Sequence, residues 1–219
     1  MSTFPGSPRL LKGGIVLVDP DSGAIERVIV LQYNPDTLTR TLQVQGVGAE
    51  SGDRLEAMRL KGPPVETYKL EAEFDATDQL ETPDQFPNIV SMGLEPQLAA
   101  LETIIYPSTT QLQAANAIVD FGTIEIAPAE APMALFVWSQ KRIVPVRITD
   151  FSITEEAFDT SLNPIRAKVT LGLRVLSVND LGFSHKGSSL FLTYQQQKER
   201  MAAMNAPGTL SALGIAGIS

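Results

Sequence analysis

At 219 residues the chain is long enough for one domain with a sizeable core and some peripheral structure, and 43% apolar against 19% charged residues is a globular balance. A net charge of −8 argues against nucleic acid as the principal partner and gives no support for docking on an anionic membrane. With no cysteine, disulfides, thiolate catalysis and zinc ribbons are excluded.

The first eleven residues lack a basic flank followed by an apolar stretch, so no Sec signal is expected. No apolar run reaches the ~20 residues needed to span a bilayer, so direct membrane insertion is not expected either. The chain is expected to be made and folded in the cytoplasm, whether or not it later leaves as part of an extracellular particle.

Taken in chain order, the pattern is mainly of period two, the signature of β-strands. Strands are predicted over 14–18 and 25–33, joined by the tight turn Asp19-Pro20-Asp21-Ser22-Gly23. The second carries Val28 and Val30 on one face and Ile29, Leu31 and Tyr33 on the other, so it is expected to be covered on both sides; Asn34-Pro35 ends it. Over 37–45, Leu38, Arg40, Leu42 and Val44 alternate with Thr and Gln residues. The Gly-rich, charged stretch 46–62 reads as a long loop. The alternation is cleanest over 65–75, where Tyr68, Leu70, Ala72 and Phe74 oppose Thr67, Lys69, Glu71, Glu73 and Asp75.

One helical region interrupts the strands. Thr82-Pro83-Asp84 is suited to cap a short helix, and 94–106 carries Leu98, Leu101, Ile104 and Ile105 at helical spacing before Pro107 stops it. Next, Met133, Leu135 and Val137 alternate with Phe136 and Trp138 in a second strand apolar on both faces, to be covered by another layer or a neighbouring subunit. In 142–158 the parity changes between Val144, Val146, Ile148 and Phe151, Ile153, which predicts a bulge near Thr149 and Asp150. Asn163-Pro164 opens the last strand, where Ile165, Ala167, Val169, Leu171, Leu173 and Val175 oppose Arg166, Lys168, Thr170, Gly172 and Arg174. A late helix follows, with Ser188 or Ser189 as N-cap, an apolar stripe of Leu190, Phe191, Tyr194 and Met201, and Pro207-Gly208 as its end. The pattern is that of a mainly β, α+β chain: a β domain over 1–178 and, over 179–219, a helical extension with a small apolar tail.

Catalytic chemistry is not legible. The single His185 sits in a polar loop, and no Gly-x-Ser-x-Gly elbow, P-loop, Gly-x-Gly-x-x-Gly or metal-spaced His cluster occurs. Glu71 with Glu73 reads as the outward teeth of a strand and Glu155-Glu156 as the flank of a bend, rather than as a glycosidase pair. No catalytic, cofactor-binding or metal-binding residue is assigned, and the chain is not expected to be an enzyme. The charges themselves segregate: Lys69, Glu71, Glu73 and Asp75 make a mainly acidic face, and Arg166, Lys168 and Arg174 a basic one. Either these strands are solvated or paired within one sheet, or the acidic face of one subunit meets the basic face of the next in a ring.

Four segments resemble a known family. Gln32-Tyr33-Asn34-Pro35-Asp36-Thr37-Leu38 is similar to the F/Y-N-P-x-x-L signature of contractile injection system tube and baseplate adaptor proteins. Arg59-Leu60-Lys61-Gly62-Pro63-Pro64 followed by Phe74-Asp75-Ala76-Thr77 resembles that family's F-D-x-T strand, Pro132 to Trp138 its P-P-x-x-x-F-x-W-G strand, and Phe158 with Pro164-Ile165-Arg166-Ala167 its F-x-x-x-G-x-P-x-R-A-x-V hairpin. The resemblance covers roughly residues 10 to 177 in the family's order. It implies an antiparallel β-barrel or sandwich of the phage tail-tube type with a helix packed outside, and six copies in a ring that joins the inner tube to the baseplate hub and spike and initiates tube assembly. The partners it implies are further copies, the inner tube protein and neighbouring baseplate subunits, with no cofactor. Ser139 stands where the family has Gly, and Asn163 is taken to stand at the hairpin glycine, since Asn tolerates the left-handed conformation. Relatives often carry a LysM module after this domain, for which the remaining residues are too few. Two other readings stand beside it: an inner tube subunit, and a cell-wall glycan-binding accessory protein.

Overall fold

The computed structural model describes residues 10–20, 22–46, 59–120, 131–205 and 208–217. Among them seven strands form a single sheet: β1 (Gly14–Val18), β2 (Ile25–Val30), β3 (Leu38–Gln43), β4 (Val65–Asp75), β5 (Met133–Ser139), β6 (Arg142–Phe158) and β7 (Pro164–Val175). The order is β2-β1-β5-β6-β7-β4-β3, and every neighbouring pair is antiparallel. Helices α1 (Thr77–Leu80), α2 (Pro87–Met92), α3 (Glu95–Glu102) and α4 (Thr109–Asp120) lie between β4 and β5, and α5 (Lys186–Ala203) follows β7. The fold is mainly β, as the alternation predicts.

The alternation places the core. On β4, Tyr68, Leu70, Ala72 and Phe74 are buried, and on β7 Ala167, Val169, Leu171, Leu173 and Val175. These join Ile15, Leu17, Ile29, Phe136, Val144 and Val146 from the other half of the sheet in one cluster, so the sheet wraps around a single core. Leu94, Leu98 and Leu101 cover one part of it, and Phe191 and Tyr194 of α5 another. The predicted bulge is present: the register slips between Ile148 and Asp150, where Thr149 is the extra residue opposite the Leu173–Gly172 step.

Wrapping leaves β2 and β3 as the two edges, and β3 covers only the first half of β4, ending at the Leu38–Leu70 pair. A side chain completes the second half. Gln32, just past β2, donates from Nε2 to the Asp75 carbonyl (2.6 Å) and accepts the Asp75 N–H at Oε1 (3.0 Å). One amide thus supplies both ladder bonds that a missing strand would supply.

Several expectations need correcting. The strand β2 is not covered on both faces: Ile29 and Leu31 are buried, while Val28 and Val30 are 55% and 53% exposed, because β2 is an edge strand. The α5 N-cap is His185, whose Nδ1 accepts the Gly187 N–H (3.0 Å), while Ser188 is buried and donates to the Leu181 carbonyl. The helix ends at Ala203; Pro207, the expected stop, lies outside the described residues. The helix expected over 94–106 spans only Glu95–Glu102, and α4 was not expected at all. Its signal is a capping box: Ser108 N–H donates to Gln111 Oε1 (2.9 Å) and Gln111 N–H to Ser108 Oγ (3.2 Å). Of the loop over 46–62, residues 47–58 lie outside the described residues; its ends meet in the Gly46–Leu60 bridge.

Candidate functional site

The segments that carry the family resemblance converge. The Asn34 side chain accepts the Gly13 N–H (2.9 Å) and donates to the Leu11 carbonyl (2.8 Å), fixing the chain before β1 to the chain after β2. Trp138 lies over Gly13 and packs on Phe136, with ring centroids 6.0 Å apart. Two residues before Asn34, Gln32 makes its pair of hydrogen bonds to Asp75. Asp75 in turn accepts from Arg166 Nε (3.1 Å) and Nη2 (3.0 Å), and from the N–H (2.8 Å) and hydroxyl of Thr77. The Thr77 hydroxyl is the main cause that holds the Asp75 carboxyl below the usual range, with Arg166 adding to it against partial burial. Tyr33, Phe74, Asp75, Arg166 and Lys168 border a surface depression of about 390 Å³. Pro35 and Pro164 flank the same region in sequence, and Pro164 is itself fully buried.

The segregated charges meet inside one sheet. Strands β4 and β7 are neighbours, with Glu73 opposite Lys168 and Asp75 opposite Arg166. Lys168 Nζ lies 3.4 Å from Glu156 and 3.8 Å from Glu73, and Arg174 pairs at 2.6 Å with Asp180. Of the seven residues singled out by charge, Arg166, Lys168, Arg174, Glu73 and Asp75 therefore have intrachain partners, and Lys69 and Glu71 remain exposed beside them. Solvent screens partly exposed pairs of this kind, so they add little to stability.

The hairpin between β6 and β7 corrects a motif assignment. The left-handed residue is Leu162 (φ 66°), not Asn163. Asp159 sets this: its Oδ1 accepts the Ser161 and Asn163 N–H groups (2.7 and 2.8 Å) and its Oδ2 the Asn163 side chain (2.7 Å). The Asn163 side chain also reaches the Ser91 carbonyl, so the reversal falls on the residue before it. At Ser139 no left-handed conformation is needed, because Leu162 is the only non-glycine residue with positive φ among the described residues.

A second polar cluster was missed. Glu66 is 3% exposed and accepts at Oε1 from the hydroxyls of Tyr68 and Tyr194 (2.7 Å each), while Lys198 Nζ sits 2.7 Å from Oε2. Burial pushes its carboxyl up, but the bonds from Lys198, Tyr68 and Tyr194 together hold it below the ordinary glutamate value. Burial, followed by the bonds to Tyr194 and Glu66, raises the Tyr68 phenol. The cluster anchors α5 against β4. Its signal was available: Glu66 occupies the inward parity of the 65–75 alternation, where a carboxylate needs partners.

No family model matches the chain, and no curated protein matches it. Among the solved structures with a similar chain is one described as the tail of an empty GTA particle with C6 symmetry. The likeness has a TM-score of 0.30 at 12% identity, covering 75% of this chain and 90% of that one. Among the described residues, no group of three or more His, Cys, Asp or Glu is placed to hold a metal ion, and no helix is long and apolar enough to cross a membrane.

Proposed function

We propose that this chain is a structural subunit of a phage-tail-like contractile injection particle, assembling with further copies into a ring at the junction of inner tube and baseplate. The observation that carries the reading is the convergence of the resemblance motifs. Asp75 and Arg166 come from distant segments, yet they pair with each other and, through Asp75, with Gln32, while Asn34, two residues after Gln32, holds the Gly13 on which Trp138 packs. Residues that make such a clasp specify a fold rather than a reaction, which supports a structural role. The apolar outer face of β2, left open in the single chain, supports association. Electron microscopy of the purified protein tests it: closed rings with a central hole are expected. Monomers at every concentration overturn the reading, and long stacked tubes favour a tube subunit over a junction ring.

A further inference from the structure

Two surface features lack a partner among the described residues. The first is the tip of the β6–β7 hairpin, where Leu162 is 79% exposed. A lone exposed leucine is ordinary, but one held in the left-handed region is strained, and glycine or asparagine would sit there relaxed. Neither the backbone nor the core of this subunit calls for a leucine at that point. Beside it Asp159 accepts three hydrogen bonds from the turn and meets no cation among the described residues.

The second is a groove of about 320 Å³ between the edge strand β2 and α3, lined by Val28, Val30, Phe74, Pro96 and Ala100. Arg27 borders it, its guanidinium held on neutral oxygens, Thr103 Oγ1 (2.6 Å) and the Ala100 carbonyl (3.4 Å), with no carboxylate partner among the described residues. Gln97, also in the wall, keeps a side-chain oxygen out of water without a donor.

We propose that the hairpin tip of one copy seats Leu162 in the β2–α3 groove of the next copy, bringing Asp159 to Arg27. Charge complementarity selects a second copy as the occupant. The unpaired carboxylate lies beside the knob, the unpaired guanidinium beside the groove, and one chain carries both. The exposed hydroxyls of Thr160 and Ser161 at the tip offer the donor that Gln97 lacks. Knob and groove are different surfaces, so the contact is head-to-tail and closes into a ring when the rotation allows. The inference rests on the ring reading above and names the two faces that would meet.

The absence of cysteine makes the test direct. Oxidising a mixture of Leu162→Cys and Val28→Cys single variants should give covalent dimers, and the double variant a ladder of larger species. In parallel, Leu162→Gly should weaken ring formation about tenfold or more. Its melting temperature when dilute should hold, or rise by up to roughly 4 °C as the strain is relieved. If wild-type rings form, Leu162→Gly rings form equally well and no 162–28 crosslink appears, this contact is wrong while the ring reading stands. If the wild type is monomeric at every concentration, the ring reading fails and this inference fails with it.

Discussion

Glu66 shows how one residue can be legible in type and invisible in role. A buried carboxylate without partners destabilises, whereas here two phenols and one ammonium satisfy it and the Arg40 guanidinium lies 3.9 Å from it. Because its folded pKa lies below its unfolded one, its contribution is present above the unfolded value of ~4.3 and is lost as pH falls through the folded value. Glu66→Gln should therefore lower stability at pH 7 by about 1–3 kcal/mol. The gap between variant and wild type should shrink on going from pH 5 to pH 3. Thermal melts at pH 7, 5 and 3 check this, and a gap that stays constant would mean the charge on Glu66 is not what anchors α5. Its role is not legible in the sequence because the partners Tyr194 and Lys198 lie 128 and 132 positions away.

Among the elements, β6 and β7 were the most legible. Both ranges follow from alternation, and the parity change predicts the bulge at Thr149 and Asp150. The reason Gly172 faces that bulge was not legible. A Cβ on Gly172 would lie 2.7 Å from Asp150 Cβ and 3.2 Å from Thr149 Oγ1, so the extra residue fits only because position 172 has no side chain. Gly172→Val should cost about 1–3 kcal/mol by overpacking, despite valine's preference for strands. A denaturant midpoint equal to wild type would show that the bulge relaxes freely. Helix α4 was missed for the opposite reason. Its Ser108/Gln111 capping box is local and readable, but Pro107 reads equally as the stop of the preceding helix and as the prelude to a new start.

On the scale of the whole molecule, the sheet closes onto itself through Gln32 rather than through a strand. Removing that amide should free the unpaired half of β4 without touching the β4–β7 ladder. Gln32→Ala is expected to lose about 1–2 kcal/mol and to speed hydrogen exchange at the Asp75 amide while Val169 stays protected. Gln32→Glu should behave similarly, since it keeps the acceptor but sets a carboxylate against the Asp75 carbonyl. Unchanged exchange at Asp75 in both variants would rule out the clasp. The interlocked motif residues that support the ring reading surround this clasp, so its loss should also lower ring yield.

By itself the sequence determined which segments are strands, which face of β4 and β7 is buried, and where β6 bends. Those properties are written in the spacing of apolar residues along a few consecutive positions. Only the tertiary structure decided that the acidic strand and the basic strand are neighbours in one sheet, so that Asp75 meets Arg166 and Glu73 meets Lys168 within the subunit. It also decided that Val28 and Val30 lie on an open edge and that Leu162, not Asn163, takes the left-handed turn. Alternation tells a strand which side to bury. The neighbour on each edge depends on how the chain is threaded, and that is a property of residues a hundred positions apart.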